Sequence, residues 1–252
     1  MTLIEAIILG IIQGFTEFLP ISSSGHLILG QAILGIEQPG NEFEILVHLG
    51  TLASVLVVFF DDIKSLLLSL TSKNTQLFIL FILIGTLPAV AIGLGFKDLL
   101  KSLFENVSAV GGALVFTGLV LYGSSFVNRK NKDHSWISAI FIGCAQAVAI
   151  IPGISRSGMT ISAALFLGLS PKEAARFSFL LAIPAIAGAG FLTAMDVSGG
   201  FQLSIPVALA GLISSFGVGV VALKWLLGWL EQGKFHYFGI YCFVVGLITL
   251  VV

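Results

Sequence analysis

The sequence predicts an all-α polytopic membrane protein, on three observations. The chain is 57% hydrophobic and 10% charged, with a mean hydropathy of +1.07, far from the balance of a soluble domain. Six apolar stretches approach the ~20 residues a helix needs to cross a ~30 Å hydrocarbon core. Two further apolar stretches are broken in the middle by Pro, Gly and serines, and the two breaks resemble each other. The chain reads as one membrane domain, 1–252, built from a first repeat over 1–130 and a second over 135–252.

In chain order, residues 2–35 form the first broken stretch, with "LPISSSG" at its centre. It reads as a helix, a turn at membrane depth and a half-helix, tolerable only where the turn lines an enclosed cavity. The opening "MTLIEAIILG" carries Glu5 and no early Lys or Arg, unlike a cleavable signal. Crossings follow at 43–60, 76–96 and 107–127. Glu42 and Glu44 open the first of these, where carboxylates suit the helix dipole. His48 within it is either a cavity-lining group or a helix contact, and Asp61 and Asp62 end it as solvated residues. The second broken stretch, 135–170, holds "IPGISRSG", and crossings at 173–194, 204–230 and 236–252 complete the chain. Asp196 reads as a loop residue, Trp225 and Trp229 as an interfacial belt, and Cys144 and Cys242 as small apolar-segment residues. A net charge of −1 gives no reason to expect nucleic acid.

The breaks are a duplication. "GIIQGFTEFLPISSSG" over Gly10–Gly25 aligns with "GCAQAVAIIPGISRSG" over Gly143–Gly158 at an offset of 133, pairing Gln13 with Gln146, Ser22 with Ser155, Ser24 with Ser157 and Gly25 with Gly158. Each half then holds one re-entrant hairpin and three crossings. Three is odd, so the halves are inverted, and their turns should meet near the midplane. Lys64, Lys73, Arg129, Lys130, Lys132, Lys172, Arg176, Lys224 and Lys234 fall on one side, against Lys97 and Lys101 on the other. The richer side is expected to be cytoplasmic, so the first hairpin opens outward.

A helix opening with Ser22, Ser23, Ser24 and Gly25 offers backbone N–H groups, hydroxyls and a positive dipole end. Ser155, Arg156, Ser157 and Gly158 repeat this with a guanidinium. Facing each other, the two predict an anion site, best matched by phosphate or pyrophosphate. Gln13 and Glu17 share a helix face, and Glu17 suits either a bridging divalent cation or a general base. His26 lies one turn beyond the hydroxyls, completing a set of groups fit for phosphoryl transfer.

"QGFTEFLPISSSGH" and "PGISRSGMTIS", with "FEILVHLGTLA", "GTLPAVAIGL" and "RFSFLLAIPA", strongly resemble the undecaprenyl-diphosphate phosphatase family of the bacitracin-resistance type, along nearly the whole chain. The resemblance implies release of the terminal phosphate of undecaprenyl diphosphate, giving the monophosphate carrier lipid of peptidoglycan and other envelope polymers, assisted by a divalent cation (Mg²⁺ or Ca²⁺). It places the family's acidic motif on Gln13 and Glu17, its serine–histidine motif on Ser22, Ser23 and His26, and its arginine motif on Ser155, Arg156, Ser157 and Thr160. Many members carry Glu where this chain has Gln13, which leaves Glu17 as the base or metal ligand. Catalysis is expected from Glu17, Ser23, His26 and Arg156, with Ser23 or His26 as nucleophile; Gln13, Ser22, Ser24, Gly25, Ser155, Ser157, Gly158 and Thr160 are expected to bind substrate. A bacterial inner-membrane setting with an outward-facing site follows. The alternative is a carrier or flippase for an anionic prenyl phosphate lipid, because broken-helix repeats suit alternating access. The partners are the polyprenyl diphosphate and the bilayer, and "VGGALVFTGLVLYG" leaves room for a homodimer.

Overall fold

Short polar residues fix where the helices begin. In the computed structural model, which describes residues 1–36, 41–104, 106–127, 131–196 and 203–251, Thr2 and Glu5 form a reciprocal capping box. It starts α1 (Leu3–Phe18), and Ser22 caps α2 (Ser23–Leu34). α3 (Asn41–Val58) runs into α4 (Phe60–Leu68) through a 67° bend. Then come α5 (Lys73–Gly95), α6 (Lys97–Phe104) and α7 (Val107–Gly123), the last extended by a 3₁₀ turn to Phe126. Ser135 caps α8 (Trp136–Val148) and Ser155 caps α9 (Arg156–Phe166). α10 (Pro171–Asp196), α11 (Ile205–Glu231) and α12 (Tyr237–Val251) follow. Among the described residues every regular element is helical.

Both broken stretches therefore fold as two helices joined by a turn. Four helices, α5, α7 with its 3₁₀ extension, α10 and α11, are long and apolar enough to cross a membrane alone, and the bent α3–α4 pair makes a fifth if taken as one span. The expected sixth crossing, 236–252, is the 15-residue α12, shorter than a lone spanning helix. Asp61 and Asp62 lie in the first turn of α4, not at a simple helix end, and Asp196 closes α10 and is not a loop residue. Arg129 and Lys130 lie outside the described residues.

Small residues let the helices approach closely. A Cβ on Gly143 would stand 2.5 Å from the Gly85 carbonyl oxygen, so α8 and α5 pack backbone to backbone. Gly10, its repeat mate, brings α1 equally close to Gly211 of α11. Gly118 and Gly239 play the same part between α7 and α12, so the glycines of "VGGALVFTGLVLYG" serve an internal contact. α1 and α3 lie along α11, while α8 lies along α5. An aromatic and aliphatic core, including Phe18, Phe59, Phe179, Leu181 and Leu226, fills the space below the turns. At that end Arg176 binds Asp62 of α4 at 2.7 Å, His134 sits 3.3 Å from Glu173, and the Lys132 amide donates to the Gly168 carbonyl. The segments around Lys64, Lys132, Lys172 and Arg176 thus share one end of the bundle.

Candidate functional site

The two turns have the same local architecture. Ser22 Oγ accepts from the Gly25 amide at 3.3 Å and lies 3.3 Å from Ser24 Oγ; Ser155 Oγ accepts from the Gly158 amide at 3.1 Å and lies 3.3 Å from Ser157 Oγ. Because each cap uses the third amide of its helix, the donors left for an anion are those of Ser23 and Ser24 and of Arg156 and Ser157. The amides of Gly25 and Gly158 thus serve the caps, and the two turns approach closely, since a Cβ on Gly158 would lie 3.2 Å from Pro20 Cβ.

Glu17, at the end of α1, is the hub. Its Oε1 meets Arg156 Nη2 at 2.6 Å; its Oε2 accepts from Ser23 Oγ at 2.7 Å and from Gln13 Nε2 at 3.1 Å. The side chains of Glu17 and Arg156 are only 6% and 15% exposed, so a charge-assisted hydrogen bond between them is strong. Glu17, Ser23, Ser24, Ser155 and Arg156 all line one cavity of about 450 Å³. Its remaining wall is mostly apolar, from the C-terminal halves of α5 and α10 and the end of α8, with Val90, Leu94, Ile150, Ile186 and Leu192 among its side chains.

Other expected residues support that lining without joining it. Gln13 is fully buried behind Glu17. Ser22 is held in a left-handed conformation, φ 70°, a strained state for a non-glycine residue. Thr160 is buried, bonded to the Arg156 carbonyl at 2.8 Å and to Ser178 Oγ at 2.6 Å, so it steadies α9 against α10. Ser157 is buried beside Ser155. His26 turns out of the cavity: Nδ1 is 2.9 Å from the Ser22 carbonyl and Nε2 is 2.9 Å from the Tyr241 hydroxyl, with the two rings stacked. Its spacing from Ser22 and Ser23 put it near the hydroxyls in sequence, but the rotation of α2 aims the ring at α12.

Two residues on α3 also line the cavity: His48, for which the sequence left a cavity-lining role and a helix contact open, and Glu44, expected only as a helix-opening carboxylate. His48 lines it with Nε2 3.8 Å from Glu17 Oε2, and Nδ1 2.7 Å from the Glu44 carbonyl. A carbonyl can only accept, so Nδ1 donates to it and Nε2 is the ring nitrogen that faces Glu17. Glu44 lines the same cavity, four residues before His48 on one helix face. That i, i+4 pair in an otherwise apolar helix was the available signal.

Glu17, Glu44, Ser23, Ser24 and Ser155 bring oxygen atoms to the cavity, the ligand type that Mg²⁺ and Ca²⁺ take. Among the described residues no three His, Cys, Asp or Glu side chains gather as a ready metal cage. Glu17 and Glu44 are the two carboxylates that line the cavity.

Residues 6–248 match the family described as bacitracin resistance protein BacA. Among curated relatives, the undecaprenyl-diphosphatase of Desulforapulum autotrophicum is 42% identical, covering 100% of this chain and 98% of its own. That of Halothermothrix orenii is 41% identical with the same coverage, and that of Korarchaeum cryptofilum is 42% identical over 99% of both chains. Matched end to end, with the paired serine turns facing each other across one cavity, the chain belongs to the BacA family.

Proposed function

We propose that this protein hydrolyses undecaprenyl diphosphate to undecaprenyl phosphate and inorganic phosphate. The observation that carries this reading is the hydrogen bond from Ser23 Oγ to Glu17, inside a cavity that pairs an arginine with an apolar wall. Relatives that match over the full chain are named for this activity.

In the proposed step, Ser23 Oγ attacks the terminal phosphorus and passes its proton to Glu17 Oε2. The anhydride P–O bond breaks and undecaprenyl phosphate leaves. Glu17 gives that proton to the departing undecaprenyl phosphate; water then attacks the phosphoserine as Glu17 or His48 takes its proton, the P–Oγ bond breaks, phosphate is released and Ser23 Oγ is reprotonated. Arg156 holds the diphosphate, helped by the helix ends of α2 and α9. Ser23 is favoured over His26 as nucleophile because both ring nitrogens of His26 already have partners outside the cavity. A divalent cation held by Glu17, with Glu44 as second carboxylate, would neutralise phosphate charge. The prenyl tail runs along the α5–α10 wall, where Gly188 and Gly190 face open space. A carrier would have no need of a base hydrogen-bonded to a hydroxyl, so the hydrolase reading is preferred.

The contact pattern supports two inverted halves, 1–130 and 135–252: α1 on α11 is matched by α8 on α5, and α7 pairs with α12. The clustering of Lys64, Lys132, Lys172 and Arg176 at the end away from the cavity mouth supports a cytoplasmic placement for that end. The site would then open to the outer face of a bacterial inner membrane.

The test is phosphate release from undecaprenyl diphosphate by detergent-purified protein, with Mg²⁺ or Ca²⁺. Ser23→Ala and Arg156→Ala should each lose ~100-fold or more, the scale of a positioned catalytic group. Lipid diphosphate bound but never hydrolysed by the native chain would overturn the reading.

A further inference from the structure

Gln146, on α8, is 2% exposed and lines the same cavity as Glu17, Ser23 and Arg156. Neither its amide nitrogen nor its amide oxygen has a hydrogen-bond partner among the described residues, so exchanging the two atoms would change nothing. Burying such groups unpaired is costly, and an apolar residue would avoid that cost. The duplication explains how it arose. Gln13, the matching residue, gives its amide to Glu17 four residues later at 3.1 Å. Four residues after Gln146 stands Ile150, which can accept nothing. Arg156, which lines the same cavity, also has a buried Nη1 without a partner among the described residues, although its Nη2 is bonded to Glu17.

We propose that Gln146 is a diphosphate-binding residue, donating its amide N–H to a phosphoryl oxygen alongside Arg156 Nη1. The two hairpins thereby divide the labour: the first brings the carboxylate and hydroxyl that react, the second the amide and guanidinium that grip. The ligand chemistry is a diphosphate, lipid-linked or free, and the proposal rests on the phosphatase reading above.

The experiment uses the full chain in detergent, with Gln146→Met as a near-isosteric apolar variant and Gln146→Glu as a charged one. Two quantities are measured: KM and kcat for undecaprenyl diphosphate, and the melting shift produced by inorganic pyrophosphate. Gln146→Met should raise KM about tenfold with kcat within about threefold, the pattern of a lost ground-state contact. It should melt no lower than the native protein and respond less to pyrophosphate. Gln146→Glu should lose ~100-fold in kcat/KM from charge repulsion. An unchanged KM for Gln146→Met overturns the proposal, as does a lower melting temperature with kcat and KM disturbed together, which would mark a structural amide. A raised KM with an undiminished pyrophosphate shift also overturns it, since the contact would then lie on the lipid and not the phosphates. If the native chain releases no phosphate, yet Gln146→Met still weakens the pyrophosphate shift, the hydrolase reading fails while the amide's binding role stands.

Discussion

The ion pair between Glu17 and Arg156 gives the sharpest quantitative prediction. Its atoms are 2.6 Å apart, on side chains 6% and 15% exposed. Removing one member of so buried a pair leaves an uncompensated charge and costs about 3–5 kcal/mol, whereas neutralising both is often close to neutral. Glu17→Gln and Arg156→Gln should therefore each destabilise the protein by about 3 kcal/mol or more. The double variant should cost less than the sum of the two by about 3 kcal/mol or more. Gln13 and Ser23 remain beside the altered Glu17 position and can bond to its new amide, which puts the expected cost at the lower end of that range. The assay is reversible unfolding in mixed micelles titrated with SDS, followed by tryptophan fluorescence from Trp136, Trp225 and Trp229. Additive single effects, with coupling under about 0.5 kcal/mol, would refute the picture of a desolvated pair.

Two glycines of similar helical setting should respond in opposite ways. Gly143→Ala, whose Cβ would meet the Gly85 carbonyl, should cost about 1–3 kcal/mol in the same unfolding assay, while Gly188→Ala, with nothing within 4 Å, should stabilise by up to about 1 kcal/mol. Gly188→Leu should slow hydrolysis of undecaprenyl diphosphate several-fold more than that of a short prenyl diphosphate in parallel kcat/KM measurements, if the tail lies on that wall. Tyr241→Phe removes the hydroxyl bonded to His26, and should cost about 0.5–1.5 kcal/mol of stability while leaving the KM for lipid diphosphate unchanged. Chelator should abolish phosphate release, and added Mg²⁺ or Ca²⁺ should restore it; full activity in excess EDTA would remove the cation from the mechanism.

What the sequence makes legible is what local chemistry decides. The serines of both turns cap their helices as their spacing requires, and the pairing of Ser22 with Ser155 and Gly25 with Gly158 reproduces the same hydrogen bonds twice. Glu17, Ser23 and Arg156 come together because each stands at a helix end that the broken stretches announce. The residues misjudged are those whose roles depend on helix rotation or on a distant partner. His26 is aimed by α2 at Tyr241, which is 215 residues away in the chain. His48 and Glu44 lie in a helix whose cavity-facing side is chosen by its packing on α11, so their i, i+4 spacing marks a shared face without saying which way it points. The bend after Val58 carries no Pro or Gly to mark it as the two hairpins do.

The packing of α1 on α11 has a consequence for how the chain is made. α1 ends at Phe18, and its main neighbour begins at Ile205. At roughly 5–20 residues per second, on the order of 10–40 seconds of synthesis separate the two. Throughout that interval the first hairpin, with Gln13 and Glu17 on board, sits in the insertion machinery or the lipid without its permanent cover. The second hairpin has no such wait, because α5, against which α8 packs, is already in place when α8 emerges. Biogenesis is therefore lopsided in a molecule whose two turns are nearly alike: one hairpin docks on arrival, and the other stays unfinished until the last fifth of the chain reaches the bilayer.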